Sequence, residues 1–263
     1  MTTSRPIVLV GCGRLGSAML EGWLATGAIA GPELIVLTPS DKPSAEAARA
    51  RGVRINPPVQ ALAGAGVLVL AVKPAAWRAA AAPLAGVLSA DAVIVSVMAG
   101  VGSASLSQVF GDRPVARVMP TTAVAQGRGV AAVWSADPVA RSVAHALFDP
   151  VADAVDLPDE ALIDAATAVA GSAPAFIYAF VEALARAGQV AGLDGDAAAR
   201  LARGALGSAA AGLETGASLT DLIARIASPG GTTEAGLRAM AVASGEAAGA
   251  AVQAAVSRAR ELG

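Results

Sequence analysis

Along the first half of the chain, short unbroken apolar runs recur between stretches of helical period. The runs are Ile7–Val10, Leu34–Leu37, Val67–Ala71, Val93–Val97 and Val115–Val118, followed by the less regular Gly129–Trp134 and Val151–Val155. Each early run is apolar on both faces, as a strand covered by helices on both sides must be. Strands alternating with helical patterns read as βαβ units of a parallel sheet. After Leu157 the β-branched runs stop. The period becomes helical over Asp159–Ala170, Ala173–Gly192, Asp196–Thr215 and Leu219–Ala227, then on either side of Gly245. Asp159, Asp164, Asp194 and Asp196 stand where helix-opening acids or caps belong. The pattern predicts an α/β parallel-sheet domain over 1–156 and an all-helical domain over 157–263.

Several of the later helices are apolar or alanine-rich around most of their circumference, so they must be buried on all sides. A domain of about 105 residues has too little interior to do this alone. The expectation is a homodimer built through the helical half.

Composition sharpens this. Hydrophobic residues make up 55% of the 263-residue chain and charged ones 15%, with a formal net charge of −2 and no basic run. Nucleic acid is therefore not an expected partner. No uninterrupted run of about 18 apolar residues appears, so no membrane span is expected. MTTSRPIVLVGCG enters a strand pattern directly, without a signal-peptide cleavage region, and the lone Cys12 offers neither a disulfide nor a metal cluster. Both features point to a reducing, cytoplasmic setting. His145 is the only histidine, Tyr178 the only tyrosine, and Lys42 and Lys73 the only lysines. Chemistry housed after residue 151 must therefore rest on carboxylates, hydroxyls, arginines, backbone groups or a bound cofactor.

The first candidate site is VLVGCGRLG. Gly11, Cys12, Gly13, Arg14, Leu15 and Gly16 follow the first strand and open the first helix. Such a loop turns tightly at its first glycine, lets backbone approach a pyrophosphate at its second, and packs helix on strand at its third. The second strand ends in TPSDK, so Thr38 and Ser40 stand where an NAD-selective acid would be. Hydroxyls and the nearby Lys42 and Arg14 suit a 2′-phosphate, which points to NADPH over NADH; Asp41 pulls the other way. Lys42 also reads as an ordinary solvated loop lysine. Ala71, Val72, Lys73 and Pro74 close a later strand, and Met98 and Ala99 another, all at the carboxyl edge where open α/β sheets bind ligands.

The second candidate site is SPGGTT, residues 228–233, between two helical patterns. It reads either as helix punctuation or as exposed N–H groups at a helix N-terminus, an anion site.

Taken together, VGCGRLGSAMLEG, TPSDK, AVKP, VSVMAGV, RVMPTT, GSAPAFIYAFVEA and ASPGGTTEAGLRAM resemble, in order, the segments of the pyrroline-5-carboxylate reductase family. GSAPAF is similar to the family's Gly-Ser-Gly-Pro-Ala-Tyr, and SPGGTT is close to its C-terminal signature. The resemblance implies a Rossmann-type domain followed by an all-α dimerisation domain, dimers that often assemble into decamers, and NAD(P)H-dependent reduction of a cyclic imine to L-proline. It implies that Ser228, Gly230, Gly231, Thr232 and Thr233 hold the substrate carboxylate and that the Thr233 hydroxyl meets the ring nitrogen as the catalytic contact. The family's Met-Pro-Asn-Thr-Pro is here changed at Thr121 and Ala123, and Ser218–Leu219 and Ala224–Arg225 replace its usual His-Pro and Lys-Asp pairs. Those changes flank the expected site, so a related imine stays open as substrate.

Rival readings are weaker. A β-hydroxyacid dehydrogenase uses a helical lysine, and no lysine follows Lys73. A deazaflavin-linked NADP reductase shares the N-terminal pattern but lacks the helical signature. A non-catalytic NADP-binding paralogue is a third reading, since fold alone does not establish activity. His145, in VARSVAHALFDP, reads as a surface or packing residue, Glu182 as a partner for an arginine, and Trp23, Trp77 and Trp134 as packing residues.

Overall fold

The computed structural model describes residues 5–261. It divides into two compact units, 1–171 together with 255–263, and 172–254. The first carries an eight-stranded sheet in the order β3-β2-β1-β4-β5-β6-β7-β8. The strands are β1 (Ile7–Val10), β2 (Leu34–Leu37), β3 (Arg54–Ile55), β4 (Val67–Leu70), β5 (Val93–Ser96), β6 (Val115–Pro120), β7 (Gly129–Trp134) and β8 (Ala152–Asp156). All pair parallel except β6 with β7. Because β1 lies between β2 and β4, the order reverses there, and the crevice at this switch point is where such sheets bind ligands.

Helices cover both faces of this sheet: α1 (Arg14–Thr26), α2 (Pro43–Arg49), α3 (Trp77–Ala81), α4 (Ser103–Phe110) and α5 (Pro138–Phe148). One core layer contains the fully buried Met19, Trp23 and Phe148 beside β1 and β6 residues. The other contains Trp77, Leu106 and Phe110. Trp23 reaches across the first layer: its Nε1 donates to the Leu147 carbonyl at 2.7 Å, so its apolar body is buried without leaving the indole N–H unpaired. Pro138 opens α5 behind an Asp137 cap that accepts from the amides of Val139 and Ala140, as helix N-termini require.

The remaining helices are α6 (Ile163–Ala166), α7 (Ala173–Val190), α8 (Gly195–Leu213), α9 (Leu219–Ile226) and α10 (Thr232–Glu261). Asp194 caps α8 and Ser218 caps α9 through their side chains. Within 172–254, Ala198 and Ala202 are buried, whereas Tyr178, Leu201 and Leu219 are more than 60% exposed.

Three sequence expectations change, and one observation adds to a fourth. The break expected between Ala170 and Ala173 is absent: Glu160–Val190 runs as one helix, whose Thr167–Ser172 segment is a π turn. A widened turn absorbs Pro174, which has no N–H to give the ladder. No break occurs at Gly245 either, because one glycine costs only about 1 kcal/mol in an otherwise alanine-rich helix. Strand β3 was not expected, since its two residues carry no apolar run. Finally, Glu160–Val190 and Thr232–Glu261 are long and apolar enough to cross a membrane by length and mean hydropathy, 1.5 and 1.2. The sequence shows no unbroken apolar run there because Gly171 and Pro174 interrupt the first helix and Gly245, Glu246 and Gly249 the second, while the mean hydropathy stays high.

Candidate active site

At the end of β1, Gly11 has φ +99°, and a Cβ there would lie 2.5 Å from the Ala71 carbonyl oxygen. Only glycine fits both the backbone and the space. Its amide donates to the Leu37 carbonyl at 2.8 Å, which ties the loop to β2. A Cβ on Gly16 would sit 2.1 Å from the Gly11 oxygen, so the turn closes directly onto α1. Gly13 differs: a Cβ there would meet nothing within 4 Å. It caps α1 without a side-chain hydrogen bond, so no side chain of its own competes for the first-turn amides, the arrangement that suits an anion at a helix N-terminus.

Cys12 is 2% exposed, so it meets the cradle through its backbone. Its sulfur lies 3.4 Å from Ser17 Oγ and 3.5 Å from Ser44 Oγ, and Ser44 Oγ donates to Ser17 Oγ at 2.8 Å. This small polar cluster joins the loop, α1 and α2. Beside it lies a cleft of about 470 Å³ lined by Gly13, Arg14, Ser17, Glu21, Lys42 and Ser44. Arg14 and Lys42 therefore share one wall system, as a 2′-phosphate would need. Leu15 is half-buried and packs against the core.

A second cleft, of about 560 Å³, adjoins it through Lys42 and is lined also by Thr38, Asp41, Arg49 and Asn56. Asn56 was missed by sequence reasoning. Its side chain accepts the Thr38 amide and donates to the Thr38 carbonyl, both at 2.8 Å. Asn56 has φ +47°, the one positive φ of a non-glycine among the described residues, a conformation asparagine tolerates better than most. Thr38 is buried and its hydroxyl donates to the Ser40 carbonyl at 3.1 Å, while Ser40 itself is exposed. Thus Ser40 and Asp41 are exposed and Lys42 is half-buried, so a hydroxyl, an acid and a cation of TPSDK all reach solvent.

At the neighbouring strand ends, Ala71 and Val72 pack against Gly11, Lys73 is exposed, and Pro74 is half-buried. Met98 is buried, so it faces the edge by backbone, with Ala99 half-buried beside it. Thr121, which stands where the family has asparagine, points into the fold: its hydroxyl accepts the Val130 amide at 3.2 Å.

In the second unit, Gly230 has φ +72° with open space around it. Its amide donates to Glu234 Oε2 at 2.7 Å, and Arg238 holds the other carboxylate oxygen at 2.7 Å. The Gly231 amide donates to the Ser228 carbonyl at 3.0 Å. These two N–H groups are helix punctuation. Thr232 and Thr233 follow as the first residues of α10, where amides have no intrahelical acceptor. The Gly230 and Gly231 amides therefore close the turn, and Thr232 and Thr233 supply the first two amides of α10. Glu182 pairs with Arg186 at 2.8 Å on the exposed side of α7. Among the described residues, no group of three or more His, Cys, Asp or Glu is placed to hold a metal.

A glycine cradle at a sheet switch point, beside a cationic cleft, defines a dinucleotide-binding protein of the Rossmann type. The comparisons with known proteins narrow the class. Residues 160–262 match the family described as "Pyrroline-5-carboxylate reductase dimerisation", and residues 6–100 match "NADP oxidoreductase coenzyme F420-dependent". The pyrroline-5-carboxylate reductase of Pseudomonas aeruginosa is 35% identical over 249 residues, covering 90% of this chain and 89% of that protein. The structure of the Coxiella burnetii pyrroline-5-carboxylate reductase superposes with a TM-score of 0.87 at 28% identity, covering 99% of each chain. The Plasmodium falciparum pyrroline carboxylate reductase, solved with NADP bound, gives 0.82 at 24% identity over 99% of this chain and 98% of that one. The chain belongs to the pyrroline-5-carboxylate reductase family.

Proposed function

We propose that the protein reduces 1-pyrroline-5-carboxylate to L-proline, the last step of proline biosynthesis, with NADPH preferred over NADH. The observation that carries this reading is the presence, in one member of this family, of both a glycine cradle opening α1 and an SPGGTT loop opening α10. When bound, the nicotinamide supplies the hydride that reduces the C=N bond. The amides after Gly13 hold the pyrophosphate, and Arg14, Ser40 and Lys42 hold the 2′-phosphate. The backbone at Ala71, Val72, Met98 and Ala99, with Lys73 and Pro74, forms the remaining edge. Within Ser228–Thr233, the first-turn amides of Thr232 and Thr233 receive the substrate carboxylate, while Gly230 and Gly231 shape the turn. The Thr233 hydroxyl meets the ring nitrogen. A protonated imine is already electrophilic and can take its proton from water, so the absence of His, Lys and Cys after 151 is no obstacle. Catalysis rests mainly on orientation.

The working form in this reading is a cytoplasmic homodimer built through 157–263, assembled further into a decamer. A second copy, rather than a bilayer, covers the apolar helices. Glu182 and Arg186 interrupt α7, and Glu234, Arg238 and Glu246 recur along α10, which a hydrocarbon environment would penalise. The test is NADPH oxidation by the purified protein with 1-pyrroline-5-carboxylate, a six-membered carboxylated imine and an uncarboxylated pyrroline. Turnover of the first at the highest kcat/KM is expected; no turnover of any imine overturns the reading.

A further inference from the structure

On the α4 side of β6 lies a charged cluster that the proposed reaction does not use. Arg117 is 5% exposed, and its Nη1 donates to Glu160 Oε1 at 3.2 Å. Its Nε and Nη2 are buried without a hydrogen-bond partner among the described residues. Glu160 is the first residue of the helix that runs to Val190. Its two carboxylate oxygens take the amide and the hydroxyl of Ser103, at 2.6 Å and 2.5 Å. Ser103 is the first residue of α4, behind a Gly102 that offers no side-chain cap.

Stability does not account for this arrangement. A buried ion pair is often no more stabilising than well-packed apolar residues of the same volume, and an arginine left half-satisfied in a core is costly. What the cluster does secure is a position. The positive end of α4 is occupied by a carboxylate from the chain itself, and that carboxylate is fixed by a cation anchored on the sheet. Between β5 and Ser103 runs Val97–Gly102, which includes Met98 and Ala99 of the candidate nicotinamide edge, and Gly100 at φ +74°. One end of this segment is set by β5. The other is set by Glu160.

We propose that Arg117 is a positioning residue for the cofactor edge: through Glu160 it holds Ser103, and with it Val97–Gly102, where the nicotinamide ring lies. The inference rests on the reductase reading. Removing Glu160 then disturbs hydride transfer and leaves binding of the phosphates, at Gly13, Arg14 and Lys42, in place.

The test uses three variants of the full chain: Glu160→Gln, Glu160→Asp, and the double variant Arg117→Met with Glu160→Met. Glu160→Gln should lower kcat about tenfold, the scale of a sub-ångström misplacement, with KM for NADPH within about twofold of the normal protein. The deuterium isotope effect on kcat with C4-deuterated NADPH should rise. Glu160→Asp should recover part of the loss. The double variant should unfold at a temperature close to normal and still turn over slowly, which separates positioning from stability; if it fails to fold, Glu160→Gln decides alone. Hydrogen exchange of the 97–106 backbone without ligand should quicken in Glu160→Gln. Normal kcat, or unchanged exchange in that segment, overturns the inference. If the normal protein reduces no imine, the reductase reading falls, and exchange still decides whether Glu160 holds the loop.

Discussion

The two units of this chain solve the burial problem in different ways. In the sheet unit, Leu9, Met19, Trp23, Ile94 and Phe110 lose essentially all exposure within a single chain. In 172–254, residues of the same kind stay outside: Phe180 is 53% exposed, and Leu219, Ile223 and Ile226 on α9 are 67%, 49% and 68% exposed. Monomers do not keep contiguous apolar faces of this kind without a use for them. The sheet unit closes its core within one chain, whereas α9, which the SPGGTT loop directly follows, keeps its large apolar side chains exposed in the single chain.

This comparison can be broken or sharpened by experiment, most sharply at Gly231. A Cβ there would meet the Ser228 carbonyl oxygen at 3.0 Å, so Gly231→Val should push the turn open. It should lose about 100-fold or more in kcat/KM for the carboxylated imine, as misplacement by about 1 Å does. NADPH affinity, measured by fluorescence titration, should stay normal; a parallel loss would show that the two sites are not separable. The next largest effect is on assembly. At an exposed position of a lone chain, Phe180→Asp would cost at most about 0.5 kcal/mol. Here it should dissociate or precipitate the protein in sedimentation, and a variant with normal mass and melting temperature would put the apolar faces outside the interface.

Smaller effects sharpen the protomer side. Replacing both Ser40 and Lys42 with alanine should raise KM for NADPH roughly tenfold, the scale of one charge-assisted bond, and leave KM for NADH nearly unchanged. Equal shifts for both cofactors would remove the 2′-phosphate assignment. Thr233→Ala should cost a three- to tenfold drop in kcat/KM, about 0.5–1.5 kcal/mol; normal efficiency would leave its hydroxyl without a role.

The mildest effect belongs to His145. Its ring bonds Asp149 at 2.9 Å and Asp156 at 3.3 Å. These contacts, Asp149 first, raise its pKa above the ordinary 6.5 in spite of partial burial. A raised value means the stabilisation is complete below about pH 6.5 and fades as pH climbs through the folded value. The melting temperatures of the normal protein and His145→Gln should therefore converge as pH rises from about 6 to 9, with Arg141 still near Asp156 in both. Curves that stay parallel would show the two carboxylates are not acting through the ring's charge.

Much of the sheet was legible because its strands are short, apolar and bounded by glycine: Ile7–Val10, Leu34–Leu37 and Gly129–Trp134 fall where the pattern places them. β3 was not legible, since Arg54 and Ile55 at a sheet edge need no apolar period. The glycine loop was legible because its geometry admits few other residues. What each amide does was not. The Gly230 N–H is taken by a glutamate four residues on and the Gly231 N–H by a serine carbonyl, pairings that depend on rotamers and turn closure rather than on residue type. Asn56 and Arg117 likewise act through contacts 18 and 43 residues away, which no local pattern encodes.

The π turn at Thr167–Ser172 holds one residue more than an α-helical turn would take. A residue added to a plain α-helix would shift its face by about 100°; the widened turn takes up that step locally. Deleting Ala170 should therefore let the segment close as ordinary α-helix, with the ladder of α7 unbroken. The turn is slack in the helix, a spare residue stored beside Pro174.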